Sequence, residues 1–276
     1  MIKKNTLLLT VVFFTTIIMN AQKKVDPKHT NYYKIPNEIS SPEYSLKFSG
    51  AVARTEFCKF ALHLQNKTKD FLIFKGEESI FNFDFGKFSE KKKAIIVRPN
   101  GKKKKVLEVN GGNQFHVNQF NVDVDGIYKV PVDGKINEMD DFQVPASANS
   151  VSSDVFDVKL NPKKTSLKTQ GSVLQFECTY NGNEIGILDP SKIVIKVEGT
   201  EKEYANDNAK SEARLMKNGD RIKFKTSFHI PGRIADMQFA NMLISWKDAF
   251  IETKAIKLSG ANVIFELDRG LTNGKN

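Results

Sequence analysis

Apolar side chains recur at every second position in one short segment after another of this chain, and that period is the strongest constraint on its fold. In Cys58-Lys59-Phe60-Ala61-Leu62-His63-Leu64 the residues Cys58, Phe60, Leu62 and Leu64 share one face, as a strand buried on one side requires. His63 falls on the other face. Phe81, Phe83 and Phe85 repeat the pattern with Asn82 and Asp84 turned away, and Val122 and Val124 alternate with Asn121, Asp123 and Asp125 before Gly126. No stretch carries a helical period of comparable strength. The chain is therefore expected to be all-β.

Two short matches suggest that one unit is present twice. Ser45-Leu46-Lys47-Phe48-Ser49-Gly50 precedes Cys58 much as Ser166-Leu167-Lys168-Thr169-Gln170-Gly171 precedes Cys178. Asn100-Gly101 before Val106 likewise matches Asn218-Gly219 before Arg221-Ile222-Lys223-Phe224-Lys225. Both pairs lie about 120 residues apart, one domain's length. The expected organisation is an extended N-terminal segment at 22–43, containing Pro27, Pro36 and Pro42, then β-sandwich domains at 44–153 and 154–270. Small polar residues at 147–153 would join them. The run from Leu160 through Pro162, Gly171 and Cys178 to Tyr180 resembles the opening strands of an immunoglobulin-like domain, without the Trp and second Cys of antibody domains. The resemblance implies two tandem immunoglobulin-like β-sandwiches and implies no ligand. Cysteines on equivalent core strands of separate domains cannot bring their β-carbons within the roughly 4 Å of a disulfide. Cys58 and Cys178 are thus expected as buried free thiols.

The first residues carry the three regions of a secretory signal: Lys3 and Lys4, an apolar stretch at 7–19, and Met19-Asn20-Ala21 before a cut. The apolar stretch is short for a bilayer core of about 30 Å. A signal peptide at 1–21, cleaved before Gln22, would put the protein in a periplasm or outside the cell. Losing Lys3 and Lys4 takes the net charge from +10 to +8, a balance that favours acidic partners. The chain has 21 Phe against one Trp and six Tyr. Phenylalanine has no polar edge, so these rings point to core filling rather than to stacking on sugars or bases.

The strongest local feature is basic. Lys91, Lys92 and Lys93 precede the turn residues Pro99-Asn100-Gly101, with Arg98 beside them, and Lys102, Lys103, Lys104 and Lys105 come after. Folding 94–98 against 106–109 as a hairpin would bring the two clusters together as a candidate anion-binding patch. The same lysines would also guard an edge strand against aggregation. No aromatic residues interleave with them, which argues against nucleic acid.

Asn121-Val122-Asp123-Val124-Asp125-Gly126 spells half a calcium loop, but Val132 stands where the bidentate acid belongs, so strand alternation ending in a turn is the preferred reading. His29, His63, His116 and His229 have no metal-ligand spacing, and no nucleophile elbow, phosphate loop or paired cysteines occur. No cofactor, metal or catalytic residue is assigned. The expectation is a non-enzymatic interaction or structural module of the cell envelope, with an envelope protein as partner. The alternative is a binder of anionic glycan or lipopolysaccharide through the lysine-rich hairpin. A glycan hydrolase with scattered acids ranks below both.

Overall fold

The computed structural model describes residues 28–275, and the expected leader at 1–21 lies outside them. The described chain is nearly all β, in antiparallel sheets, with short single-turn helices and one terminal helix, Arg269–Lys275. No described helix is long and apolar enough to cross a membrane.

In the first half, Tyr44–Ala53, Phe57–Asn66 and Lys102–Asn110 lie side by side in one layer, with Asn31–Tyr32 and Ile39–Ser40 along the outside of Tyr44–Ala53. The segment at 22–43 is therefore more than a lead-in, since its described part supplies sheet and buries Tyr33. The facing layer consists of two ladders. One runs Gly86–Ser89, Ile80–Phe83, Gln119–Val124, Ala261–Glu266; the other runs Ile95–Val97, Phe71–Phe74, Ile127–Val130, Ile256–Lys257. Period-two alternation turns Leu46, Phe60 and Leu62 of the first layer towards Phe81, Phe120 and Phe265 of the second. The Phe60 ring centroid lies 5.5 Å from that of Phe81 and 4.8 Å from that of Phe265. The phenylalanine excess fills this core.

The second half repeats the plan. Phe156–Leu160, Gly171–Tyr180 and Arg221–His229 form one layer. Facing it are Glu203–Ala205, Val194–Val197, Met242–Ser245 and Phe142–Val144, and then Arg214–Met216, Ile185–Leu188, Phe250–Thr253 and Lys135–Ile136. Trp246, 1% exposed, sits in this core among Phe142, Phe176 and Phe250. The registers of the halves coincide, because Gln65 faces Lys102 as Thr179 faces Arg221, and Phe57 faces Asn110 as Gly171 faces His229. Leu62 thus corresponds to Phe176 and Lys105 to Phe224. Cys58 and Cys178 lie on corresponding strands at different positions: Cys58 matches Ser172, and Cys178 matches Leu64. Both thiols are free and buried, in separate cores, and burial pushes Cys178 up to about 12.

The two halves exchange their closing strands. After Ile127–Val130 the chain leaves the first half, and Lys135–Ile136 and Phe142–Val144 pair with Phe250–Thr253 and Met242–Ser245 of the second. After Phe250–Thr253 the chain returns, and Ile256–Lys257 and Ala261–Glu266 pair with Ile127–Val130 and Gln119–Val124. The outward crossing passes Gly134, and the returned chain passes Gly260 between its two closing strands, each a glycine that backbone contact requires. A β-carbon at Gly134 would collide with the Glu252 carbonyl, and one at Gly260 would collide with the Val124 carbonyl. A division at 153/154 therefore cuts across the pairing. Phe142 and Val144 belong to the second core, and Val263 and Phe265 belong to the first. A third, small cluster of Phe71, Ile73, Val130, Ile187 and Ile251 packs the halves together.

Candidate docking face

The lysine-rich segment does not form the expected hairpin. Ile95–Val97 pairs with Phe71–Phe74 in one layer, whereas Lys102–Asn110 pairs with Phe57–Asn66 in the other. Pro99-Asn100-Gly101 carries the chain from layer to layer. It rests on the neighbouring loop, where Asn100 N–H donates to the Thr68 carbonyl at 3.0 Å and Asn66 N–H donates to the Gly101 carbonyl at 2.8 Å. The physical reason is burial: Val97 and Leu107 both turn fully inward, from opposite layers of one core.

This crossing scatters the predicted patch. Lys102, Lys103 and Lys104 are exposed on the strand, and among the described residues no ion pair engages them. Lys105 alternates inward and is buried. Its ammonium lies 3.2 Å from the Glu90 carboxylate, with side-chain exposures of 6% and 1%. It also donates to the Lys93 carbonyl at 2.7 Å and, more weakly, to that of Lys92 at 3.4 Å. Neither Glu90 oxygen accepts a well-directed hydrogen bond, so charge holds the pair together more than geometry does. Desolvation keeps the Glu90 carboxyl above the ordinary range despite Lys105 and Lys92. A β-carbon at Gly76 would collide with Glu90 Oε2, so the cradle needs glycine there. Lys92 pairs with Glu108 at 3.5 Å and reaches Glu90 at 4.0 Å. Lys91 and Lys93 are exposed on the connecting segment. Arg98 turns to the second half and meets Glu212 at 2.5 Å, an exposed pair worth at most about 1 kcal/mol.

A basic surface is nevertheless assembled, from residues that the lysine run alone does not reveal. Register places Lys47, His63 and Lys104 in one row across the outer face of the sheet, and Ser45, Gln65 and Lys102 in the next. Ser45, Lys47, His63, Gln65 and Lys102 line a depression of about 340 Å³. His63 is hydrogen-bonded to Ser49 Oγ at 2.9 Å, Lys47 pairs with Glu38 at 3.1 Å, and the Lys59 ammonium stands 4.7 Å from the Phe57 ring centroid. Further along the edge strand, Val106 is 39% exposed.

No protein-family model matches the chain, and no curated protein is detectably similar to it. Among solved structures it is similar to red sea bream transglutaminase, at 8% identity and a TM-score of 0.21, over 80% of this chain. The chain spans 31% of that enzyme's length, and a likeness so distant transfers no activity.

The remaining sequence features take structural places. Asp123 accepts from Asn262 at 2.6 Å and Asn82 at 2.8 Å, and Asp125 meets Lys257 at 2.8 Å. These partners hold both carboxyls below the usual range, with desolvation opposing. The half calcium loop is thus strand Gln119–Val124 and the turn after it. Asp140 accepts the Trp246 indole N–H through its carbonyl at 3.0 Å. His29 and His116, 87 positions apart, meet with ring nitrogens 2.7 Å apart, a contact that no local spacing signals. Burial first, and then His29, lowers the tendency of His116 to take a proton.

Proposed function

We propose that this chain is an exported, non-enzymatic module built from two immunoglobulin-like sandwiches, and that it docks an acidic envelope protein on the first half. One observation carries the reading. The outer face and edge of the first half present Lys102, Lys103, Lys104 and Lys59 without carboxylate partners among the described residues. On the corresponding strand of the second half the residue matching Lys104 is neutralised, since Glu177 stands between Lys159 and Lys223 and pairs with Lys223 at 3.6 Å, while Arg221 and Lys225 are exposed there without an ion pair among the described residues. Excess charge of one sign, densest where Lys102, Lys103 and Lys104 follow one another along the edge, supports a role in partner steering. Export and the envelope location rest on the leader at 1–21. Affinity capture from envelope extract, comparing the wild type with Lys102→Glu/Lys104→Glu, tests the reading. A partner lost only in the variant supports it, and identical recovery with both baits would sink it.

A second reading, an anionic glycan or lipopolysaccharide held by the same lysines, draws on the same unpaired charges. It predicts retention on an anionic polysaccharide column that falls steeply with salt. Unchanged retention of a Lys102→Gln/Lys103→Gln/Lys104→Gln variant would remove it.

A further inference from the structure

We infer that the Lys102–Asn110 edge accepts an extended, acidic segment of a partner protein as an added β-strand. The inference rests on the docking reading above and specifies how the partner is held.

The first support is backbone direction. Asn66 N–H donates to the Gly101 carbonyl, and Gln65 stands opposite Lys102. Antiparallel ladders alternate, so the main-chain groups of Lys102, Lys104, Val106 and Glu108 point away from Phe57–Asn66. The corresponding Lys223, Lys225 and Ser227 also point outward, and in the second half they are occupied. Ser227 N–H donates to Asn206 Oδ1 at 2.9 Å, and its carbonyl accepts from Asp207 N–H at 2.9 Å. The Lys225 carbonyl accepts from Asn208 Nδ2 at 2.8 Å and the Lys223 carbonyl from Arg214 at 3.3 Å. Among the described residues nothing bonds to the outward main-chain groups of Lys104, Val106 or Glu108.

The second support is the cause of that difference. The cover over the second edge comes from 206–208, in the connection between Glu203–Ala205 and Arg214–Met216, and from the Arg214 side chain. The connection at the same place in the first half, residues 90–94, is shorter. It is drawn inward by the Lys105 ammonium, which binds Glu90 and the carbonyls of Lys92 and Lys93. The buried ion pair therefore holds the main chain of this connection off the edge, with the Lys92 side chain alone reaching across to Glu108 at 3.5 Å.

The third support is chemistry. An added strand would set carboxylates against Lys102 and Lys104 and an apolar side chain against Val106, while its main chain fills the outward groups. Lysines that merely guard the edge against aggregation would leave such a strand unbound.

The test uses the full chain with two labelled peptides of equal charge: one alternates Glu with Val and Thr, and the other has the same residues interrupted by prolines. The alternating peptide should bind, in a salt-sensitive way, and should slow amide exchange at Lys104, Val106 and Glu108. Val106→Pro removes the outward N–H and Val106→Ala removes only the apolar side chain, so the pair separates the two contributions; Trp246 emission, in the other core, should be unchanged in both. Peptide binding should weaken about tenfold on Val106→Pro, the loss from one main-chain hydrogen bond, and less on Val106→Ala. Equal binding of both peptides, or indifference to Val106→Pro, overturns strand addition while leaving charge-driven docking standing. If neither peptide binds, the inference also falls, and loss of the captured partner on Lys102→Glu/Lys104→Glu then decides separately whether docking survives. Self-association through this edge would overturn it as well, by naming a second copy as the occupant.

Discussion

The two halves share strand order and register yet differ at one core position in a way that reaches the surface. Where the first half buries Lys105 opposite Leu62, the second stacks Phe224 on Phe176 with ring centroids 5.5 Å apart. An apolar pair needs nothing beyond good packing, whereas a buried ammonium needs a counter-charge and acceptors. Glu90 and two carbonyls supply them, and the segment that supplies them is withdrawn from the sheet edge. Two halves of matching strand order and register thus end with one edge covered and, among the described residues, the outward main-chain groups of the other unbonded.

The largest expected effect tests the exchange of closing strands. Phe265→Ala should cost about 3–5 kcal/mol, and the loss should fall on the first half. Trp246, in the second core, provides a separate probe: in chemical denaturation its fluorescence should keep its midpoint while amide protection of Phe57–Asn66 collapses. A shift of both together would show that the halves unfold as one unit.

Breaking the buried pair comes next. Lys105→Ala leaves buried Glu90 with only the half-exposed Lys92 ammonium at 4.0 Å, at about 3 kcal/mol. The double variant Lys105→Met/Glu90→Leu imitates the apolar second half and should match or exceed wild-type stability. A double variant as unstable as the single one would refute the account of this site.

Uncovering the second edge should be milder. Asn206→Ala removes the cap on Ser227 N–H together with the Asn206 bonds to Asn208 N–H, the Pro190 carbonyl and Ser211 Oγ, and should cost about 1–3 kcal/mol. It should also let the alternating acidic peptide, if that peptide binds the first edge, bind the second more than it does in wild type. The smallest effect is in pH. The Glu90 carboxyl is held above its ordinary range in the folded state. Its contribution to stability is therefore present at low pH and is lost as pH rises through the folded pKa. The stability difference between wild type and Glu90→Gln should grow in favour of wild type as pH falls through that window. Asp123 and Asp125, held low, act in the opposite sense.

Period-two patterning made the strands and the phenylalanine core legible, because alternation is local and the side chains that carry it are apolar. The repeat was legible only in outline. Cys58 and Cys178 suggested an alignment that register rejects, since Cys58 stands with Ser172, and the connections between corresponding strands differ in length. Asn100-Gly101 has the composition of a hairpin turn, yet the path of the chain beyond a turn is decided by which layer needs the next apolar residues. The basic face was half legible: Lys102 and Lys104 stood out in the run, but Lys47 and Lys59 join them only through strand pairing. The exchange of closing strands left no mark in the sequence, since Phe142 and Phe265 alternate in the same way whichever core receives them.

The crossing of the chain between halves turns connectivity into a clasp. The residues at 145–150 are exposed, and a single protease nick there would free neither piece. The N-terminal fragment would keep Phe142–Val144 threaded into the other's sheet, while the C-terminal fragment would hold Ala261–Glu266 in the first and tie Thr272 Oγ1 to the Tyr32 amide at 3.0 Å. The severed molecule would travel as one particle until denatured, a durability that tandem domains joined only by a tether would lack.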